Sequence, residues 1–237
     1  MRLDLVDITL LIDKSGSMED LTNDTIGGVN RLLNDQRALP GEARLTMVHF
    51  DTTYRFVHTG VRVQDVPNLT TMTYRPGGGT ALLDAMGRAI IETGKRLHDL
   101  PEAERPARVL FIAITDGEEN SSKEVTKDAL RKMVEEQTSV YKWEFSYLGA
   151  NVDAFAEGGG MGVAHANVAN YGANHAGVAA VYSIMSDKLR GVRGSAMRGD
   201  LSVAMSFTAD EQANLQATVD PKDKTPDATH VSTTSTT

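Results

Sequence analysis

Residues 109–114 are the feature of this sequence that limits its fold most. Their sequence, VLFIAI, is apolar at every position, which is typical of a central parallel strand buried on both faces. A second run, residues 8–12 (ITLLI), is apolar apart from Thr9 and lies near the amino terminus. Because parallel strands need crossover connections that are usually helical, the two runs predict an α/β chain.

Apolar residues recur at helical spacing in the segments between and after these runs. They predict helices over residues 21–38, 82–97, 121–137, 174–193 and 208–217. Ser121 and Glu124 are predicted to form a capping box that starts the third of these helices. Helices that alternate with strands indicate a doubly wound sheet.

Four further segments complete the predicted sheet. They are residues 44–50, 54–63, 141–148 and 163–168. We expect residues 54–63 to be an antiparallel edge strand, and the glycines at 158–160 to form a turn before the last strand. The fold class is therefore α/β, a doubly wound and mostly parallel sheet of about six strands with helices on both faces and one antiparallel edge strand.

The chain divides by composition into three parts. Residues 1–198 are predicted to form one domain, residues 199–219 a C-terminal extension with a short helix, and residues 220–237 a disordered tail rich in Thr and Ser. The formal net charge of −8 and pI near 5.2 argue against nucleic acid as a partner. The chain has no cysteine, no signal-peptide pattern and no apolar run long enough for a membrane span, so a cytoplasmic protein without a membrane partner is expected.

The stretch that follows the first apolar run is rich in oxygen donors. Asp13 ends the strand, and Ser15 and Ser17 follow at alternate positions, with Gly16 allowing a tight turn. A parallel strand delivers its last residue to the carboxyl edge of the sheet, where open α/β sheets bind ligands. One carboxylate and two hydroxyls that converge there suit Mg²⁺, Mn²⁺ or Ca²⁺.

Two further loops are predicted to reach the same edge. Thr80 follows three glycines at 77–79 and lies at the start of a helix, and Asp116 follows the central strand. Taken singly, each of these loops also fits a helix cap or a turn. Three loops that each supply an oxygen at one edge favour a metal site. Glu118 and Glu119, next to Asp116, are expected to be solvated surface charges and not ligands.

The combined motifs resemble a known family. Asp-x-Ser-x-Ser after the first strand, Gly-Gly-Thr before a helix and Thr-Asp-Gly after the central strand resemble the von Willebrand factor type A domain and its metal-ion-dependent adhesion site. The resemblance covers about residues 5–195, with all five positions of the motif present. It implies that Ser15 and Ser17 ligate the cation directly, Thr80 directly or through water, and Asp13 and Asp116 largely through water.

The resemblance also implies a function. The bound ion would keep net positive character and an open position, which an Asp or Glu of a protein partner fills. We therefore expect a divalent-cation-dependent protein-binding module without catalysis. Residues 24–30, 79–85 and 115–122 look most like small stand-alone members found in bacteria and their phages.

Two alternatives remain open from the sequence. A metal-dependent hydrolase or phosphotransferase could use the same edge, but it needs a general acid or base and a basic phosphate clamp, and only Lys14 lies near by sequence. The other alternative is a structural or assembly protein with a vestigial site. The partner, the identity of the cation and the oligomeric state are left open.

Overall fold

A computed structural model of the protein describes residues 1–220. The tail predicted over residues 220–237 lies outside this part of the chain, except for Asp220. The strands, in chain order, are β1 Arg2–Asp13, β2 Glu42–Phe50, β3 Tyr54–Arg62, β4 Pro106–Thr115, β5 Glu144–Gly149 and β6 Val168–Asn170. They form one sheet in the order β3-β2-β1-β4-β5-β6.

The sheet is parallel except at one edge. β1 pairs in parallel with β2 and β4, and β5 and β6 continue the parallel order, whereas β3 pairs antiparallel with β2. The predicted fold class is thus confirmed. The strand order reverses at β1, so the crevice between β1 and β4 is the switch point at which such sheets bind ligands.

Helices cover both faces of the sheet. They are α1 Thr22–Arg37, α2 Leu82–His98, α3 Lys127–Tyr141, α4 Ala154–Gly160, α5 His175–Met197 and α6 Ala209–Gln216. One core cluster joins α1 and α5 to the sheet and includes Leu10 and Ile112. The other joins α2, α3 and α4 to the opposite face and includes Leu11 and Phe111. Adjacent residues of β1 and β4 therefore enter opposite cores, as their continuous apolar sequences predict.

Three local predictions are wrong. The last strand is β6 and not residues 163–168, because His165–Asn167 form a 3₁₀ turn before it. The glycines at 158–160 end α4 instead of forming a turn, since Asp153 caps a helix that includes them. The third long helix, α3, begins at Lys127 with Thr126 as its cap.

The C-terminal extension packs on the sheet. It contains the short helix α6, which starts with a capping box made by Thr208 and Glu211. Met205, Phe207 and Leu215 are buried in the core on the α1 and α5 side. The division of the chain at residue 198 stays a prediction. Within residues 1–220, none of the helices has the length and apolar character needed to cross a bilayer.

Two neighbouring glycines of α1 can be used to test how closely this helix packs against α5. A Cβ on Gly28 would lie 2.2 Å from Cδ2 of Tyr182, whereas one on Gly27 would meet no atom within 4 Å. We expect Gly28→Ala to lower the free energy of unfolding by about 1–3 kcal/mol, because overpacking forces the helices apart. Gly27→Ala is expected to raise it by about 0.5–1 kcal/mol, since alanine favours the helix. Urea unfolding of both variants checks this, and equal effects would contradict the close packing.

Candidate metal centre

The first and third predicted ligand loops are in direct contact. Asp13 is the last residue of β1, and Asp116 directly follows β4. The Ser17 hydroxyl donates a hydrogen bond to Oδ1 of Asp116 at 2.6 Å. The hydroxyl oxygens of Ser15 and Ser17 lie 3.1 Å apart. Ser17 is exposed while Ser15 and both aspartates are buried, so the group opens to solvent on the Ser17 side.

The second loop reaches the same point. Thr80 is buried, and a Cβ built on Gly117 would lie 3.4 Å from Oγ1 of Thr80 and 3.5 Å from Oγ of Ser17. The two hydroxyls therefore face a common space beside Gly117 that the glycine leaves open. The structure thus brings together all five residues that the sequence singled out.

The two carboxylates of this group are held by hydroxyl and backbone donors. Asp13 accepts hydrogen bonds from the Ser15 backbone N–H at 2.7 Å and from Oγ1 of Thr115 at 2.5 Å, and burial raises its pKa. Burial also raises the pKa of Asp116 to about 6. The hydrogen bond from Ser17 lowers this pKa, and the nearby charge of Asp13 raises it. Neither carboxylate forms an ion pair with a basic side chain of residues 1–220.

This donor set fits a divalent cation. Two buried carboxylates that repel each other are stabilised by positive charge, and no side chain in the described part of the chain supplies it by an ion pair. The three hydroxyls and two carboxylates are all hard oxygen donors of the kind that Mg²⁺, Mn²⁺ and Ca²⁺ prefer.

Backbone hydrogen bonds hold the first two loops together. The Gly77 N–H donates to the Lys14 carbonyl at 2.8 Å, and the Gly16 N–H donates to the Gly78 carbonyl at 3.0 Å. Gly78 has a φ of +79°, and a Cβ there would lie 2.5 Å from Oγ1 of Thr52. Gly78 is therefore needed for its left-handed backbone and for close packing against the turn between β2 and β3.

Two buried tyrosines bind the last carbonyl groups of β1 and β4. The Tyr74 hydroxyl donates to the carbonyl of Asp13 at 2.6 Å, and the Tyr171 hydroxyl donates to the carbonyl of Thr115 at 3.0 Å. Sequence reasoning missed both tyrosines, since each lies far along the chain from the carbonyl it binds. It also missed Thr115 as a donor to Asp13, although Thr115 belongs to the Thr-Asp-Gly motif.

The expectation for Glu119 is wrong. Its carboxylate is half-buried and accepts hydrogen bonds from the backbone N–H groups of Leu83, Ser121 and Ser122 at 2.8–2.9 Å. These donors leave it little contact with solvent. Glu118, by contrast, is exposed.

The sheet order and the loop positions define the class of this protein. It is a doubly wound α/β domain in which three loops bring oxygen donors to the switch point of the sheet. The family model of the von Willebrand factor type A domain matches residues 7–154, more than half of the chain. The chain belongs to this family, and the resemblance seen in the sequence is confirmed.

Solved structures of similar fold come from diverse proteins. A D319A mutant of the PilB minor pilin from Streptococcus sanguinis is 11% identical with a TM-score of 0.54, covering 81% of this chain and 62% of its own. A von Willebrand factor type A protein from Catenulispora acidiphila is 19% identical with a TM-score of 0.51, covering 78% and 42%. Proximal thread matrix protein 1 from the mussel byssus, with a zinc-occupied MIDAS motif, is 12% identical with a TM-score of 0.55, covering 78% and 48%.

These similarities concern the fold. This chain spans less than two thirds of the length of each of the three proteins. No curated protein matches the chain.

Proposed function

We propose that this protein is a divalent-cation-dependent protein-binding module whose metal is completed by an acidic residue of a partner. Ser15, Ser17 and Thr80 hold the cation, while Asp13 and Asp116 anchor its water ligands. The observation that carries this proposal is the pair of buried carboxylates that form no ion pair within residues 1–220, placed beside three hydroxyls at the switch point. Mg²⁺ is the proposed ion, with Mn²⁺ or Ca²⁺ as substitutes.

Family membership supports a binding role. Domains of this family are generally adhesion or interaction modules and not enzymes. The zinc in the motif of the mussel protein supports a divalent cation at the corresponding edge of this chain. A cytoplasmic location and the absence of nucleic-acid partners stay predictions.

The roles of the residues follow from their charge and burial. A bound cation supplies positive charge and an exchangeable position for a carboxylate. Hydroxyl donors such as Ser15 and Thr80 are neutral, so they orient the ion without cancelling its charge. Asp13, held by Ser15 and Thr115, keeps a fixed orientation for a water ligand. Because Mg²⁺ readily keeps several waters, exchange of one water for a partner's carboxylate gives an oriented, charge-assisted contact.

The hydrolase or phosphotransferase alternative needs a basic phosphate clamp. Lys14 is the basic residue nearest to the site by sequence, but it forms an ion pair with Asp51. Its ammonium group is thus directed to a carboxylate of the neighbouring loop. The binding proposal does not need Lys14.

Capture of a partner tests the role of the carboxylate. With Mg²⁺ present, we expect the immobilised protein to retain a partner that chelation with EDTA releases, since the contact runs through the cation. Alanine substitution of the partner's contacting Asp or Glu is expected to abolish retention to the same extent as EDTA. Retention that resists both treatments would contradict the proposal.

A further inference from the structure

Glu119 joins the third loop to the start of α2. Its Oε2 accepts from the Leu83 N–H at 2.9 Å, and its Oε1 accepts from the N–H groups of Ser121 and Ser122 at 2.9 and 2.8 Å. Oε2 also accepts from the Ser122 hydroxyl at 2.8 Å. One carboxylate therefore accepts hydrogen bonds both from the third loop and from α2, the helix that follows the second loop.

Asp84 makes the reciprocal connection from α2. This residue is only 5% exposed. Its carboxylate accepts from three consecutive backbone N–H groups, those of residues 123–125, at 2.7–2.9 Å. The Asp84 N–H in turn donates to the Ser122 hydroxyl at 3.0 Å. We name Asp84 and Glu119, with these contacts, the carboxylate clasp.

Thr80 is hydrogen-bonded to the segment that follows Glu119. Its N–H donates to Oδ1 of Asn120 at 2.8 Å, and its carbonyl accepts from the N–H groups of Asn120 and Ser121 at 3.0 and 3.1 Å. The backbone of Thr80 is thus bonded on both sides to the segment that Glu119 orders. The position of Thr80 relative to Asp116 depends on that segment.

A helix cap alone does not account for these contacts. A capping side chain satisfies N–H groups of the helix it begins, whereas the three donors to Asp84 lie 39 to 41 residues further along the chain. Neither carboxylate of the clasp forms an ion pair with a basic group in residues 1–220. Asp84 accepts from backbone donors of the segment after Asp116, and Glu119 accepts from donors of that segment and of α2.

We propose that Asp84 and Glu119 are positioning residues of the metal centre, which fix Thr80 and Asp116 at the separation that the cation requires. The inference rests on the proposed metal site and deepens it. Residues that orient ligands from outside the coordination sphere influence metal affinity strongly. Without the clasp, Thr80 loses its fixed place beside Gly117.

Glu119→Gln and Glu118→Gln make a matched pair for the test. Both remove one negative charge near the site, but only Glu119 accepts backbone hydrogen bonds from the two loops. The glutamine amide would direct an N–H at one set of donors, so we expect Mn²⁺ binding by Glu119→Gln to weaken about 10- to 100-fold. Glu118→Gln is expected to bind as the wild type does, and Asp84→Asn provides a second disruption of the clasp.

Calorimetric titration of Mn²⁺ into variants whose circular dichroism matches that of the wild type gives the affinity of the folded protein. Hydrogen exchange of the Leu83, Ser121 and Ser122 amides shows whether the clasp has opened. Wild-type affinity in both clasp variants, or equal losses at positions 118 and 119, would overturn this inference while leaving the metal site intact. Absence of binding by the wild type would overturn the metal site as well.

Discussion

Replacement of Ser15 and Ser17 together by alanine is expected to abolish divalent-cation binding while the fold is retained. The two hydroxyls lie 3.1 Å apart and are two of the three proposed direct ligands. Since loss of even an outer-sphere partner weakens metal binding by about 10- to 100-fold, loss of two direct ligands should weaken it by more than about 100-fold. Calorimetric titration of Mg²⁺ and Mn²⁺ into wild type and variant measures the change.

The control for this experiment removes two hydroxyls elsewhere. Ser139 and Ser202 are exposed, on α3 and in the C-terminal extension, and their double alanine variant should bind as the wild type does. Circular dichroism of the Ser15 and Ser17 variant should match that of the wild type. Equal binding by the wild type and this variant would refute the metal assignment.

Asp116→Asn is expected to stabilise the metal-free protein while it impairs metal binding. The carboxyl pKa of Asp116 is raised from 3.8 to about 6, so the folded state holds the proton more tightly than the unfolded chain does. Stability is therefore lost as pH rises from about 4 to about 6, and the full cost of the buried charge is present above that range. A tenfold change in proton affinity corresponds to about 1.4 kcal/mol, so removal of the charge at pH 7.5 should add up to about 3 kcal/mol.

Urea unfolding in EDTA between pH 4 and pH 8 measures this effect. The wild type should lose stability across the range more steeply than Asp116→Asn, which retains an oxygen to accept from Ser17. Asp65→Asn changes an exposed aspartate and serves as the control for net charge. If metal-free Asp116→Asn is less stable than the wild type at pH 7.5, the charged carboxylate of Asp116 does not destabilise the metal-free protein, and the prediction is wrong.

The local sequence predicts most of the sheet and the composition of the site. Residues 109–114 lie within β4 and are buried on both faces, because an apolar run leaves a strand no polar face. Asp13, Ser15 and Asp116 meet at the switch point because parallel strands end at one edge. These placements follow from strand direction and short loops, which neighbouring residues determine.

The rest depends on contacts that are remote in sequence. Ser121 and Glu124 have the spacing of a capping box, but their N–H groups bind Glu119 and Asp84 instead, so α3 begins later. The sequence predicts a surface charge at Glu119 because its partner Leu83 lies 36 residues earlier in the chain. No local pattern reveals such a partner.

The sheet order also has a consequence for biosynthesis. β1 is made first, yet it lies at the centre of the sheet and pairs with β4, which ends at Thr115. A nascent chain therefore exposes one edge of an apolar strand until β4 has left the ribosome, and such edges invite pairing with other chains. Asp13 and Asp116 cannot face each other before that strand arrives, so the proposed metal site cannot form on β1 and β2 alone.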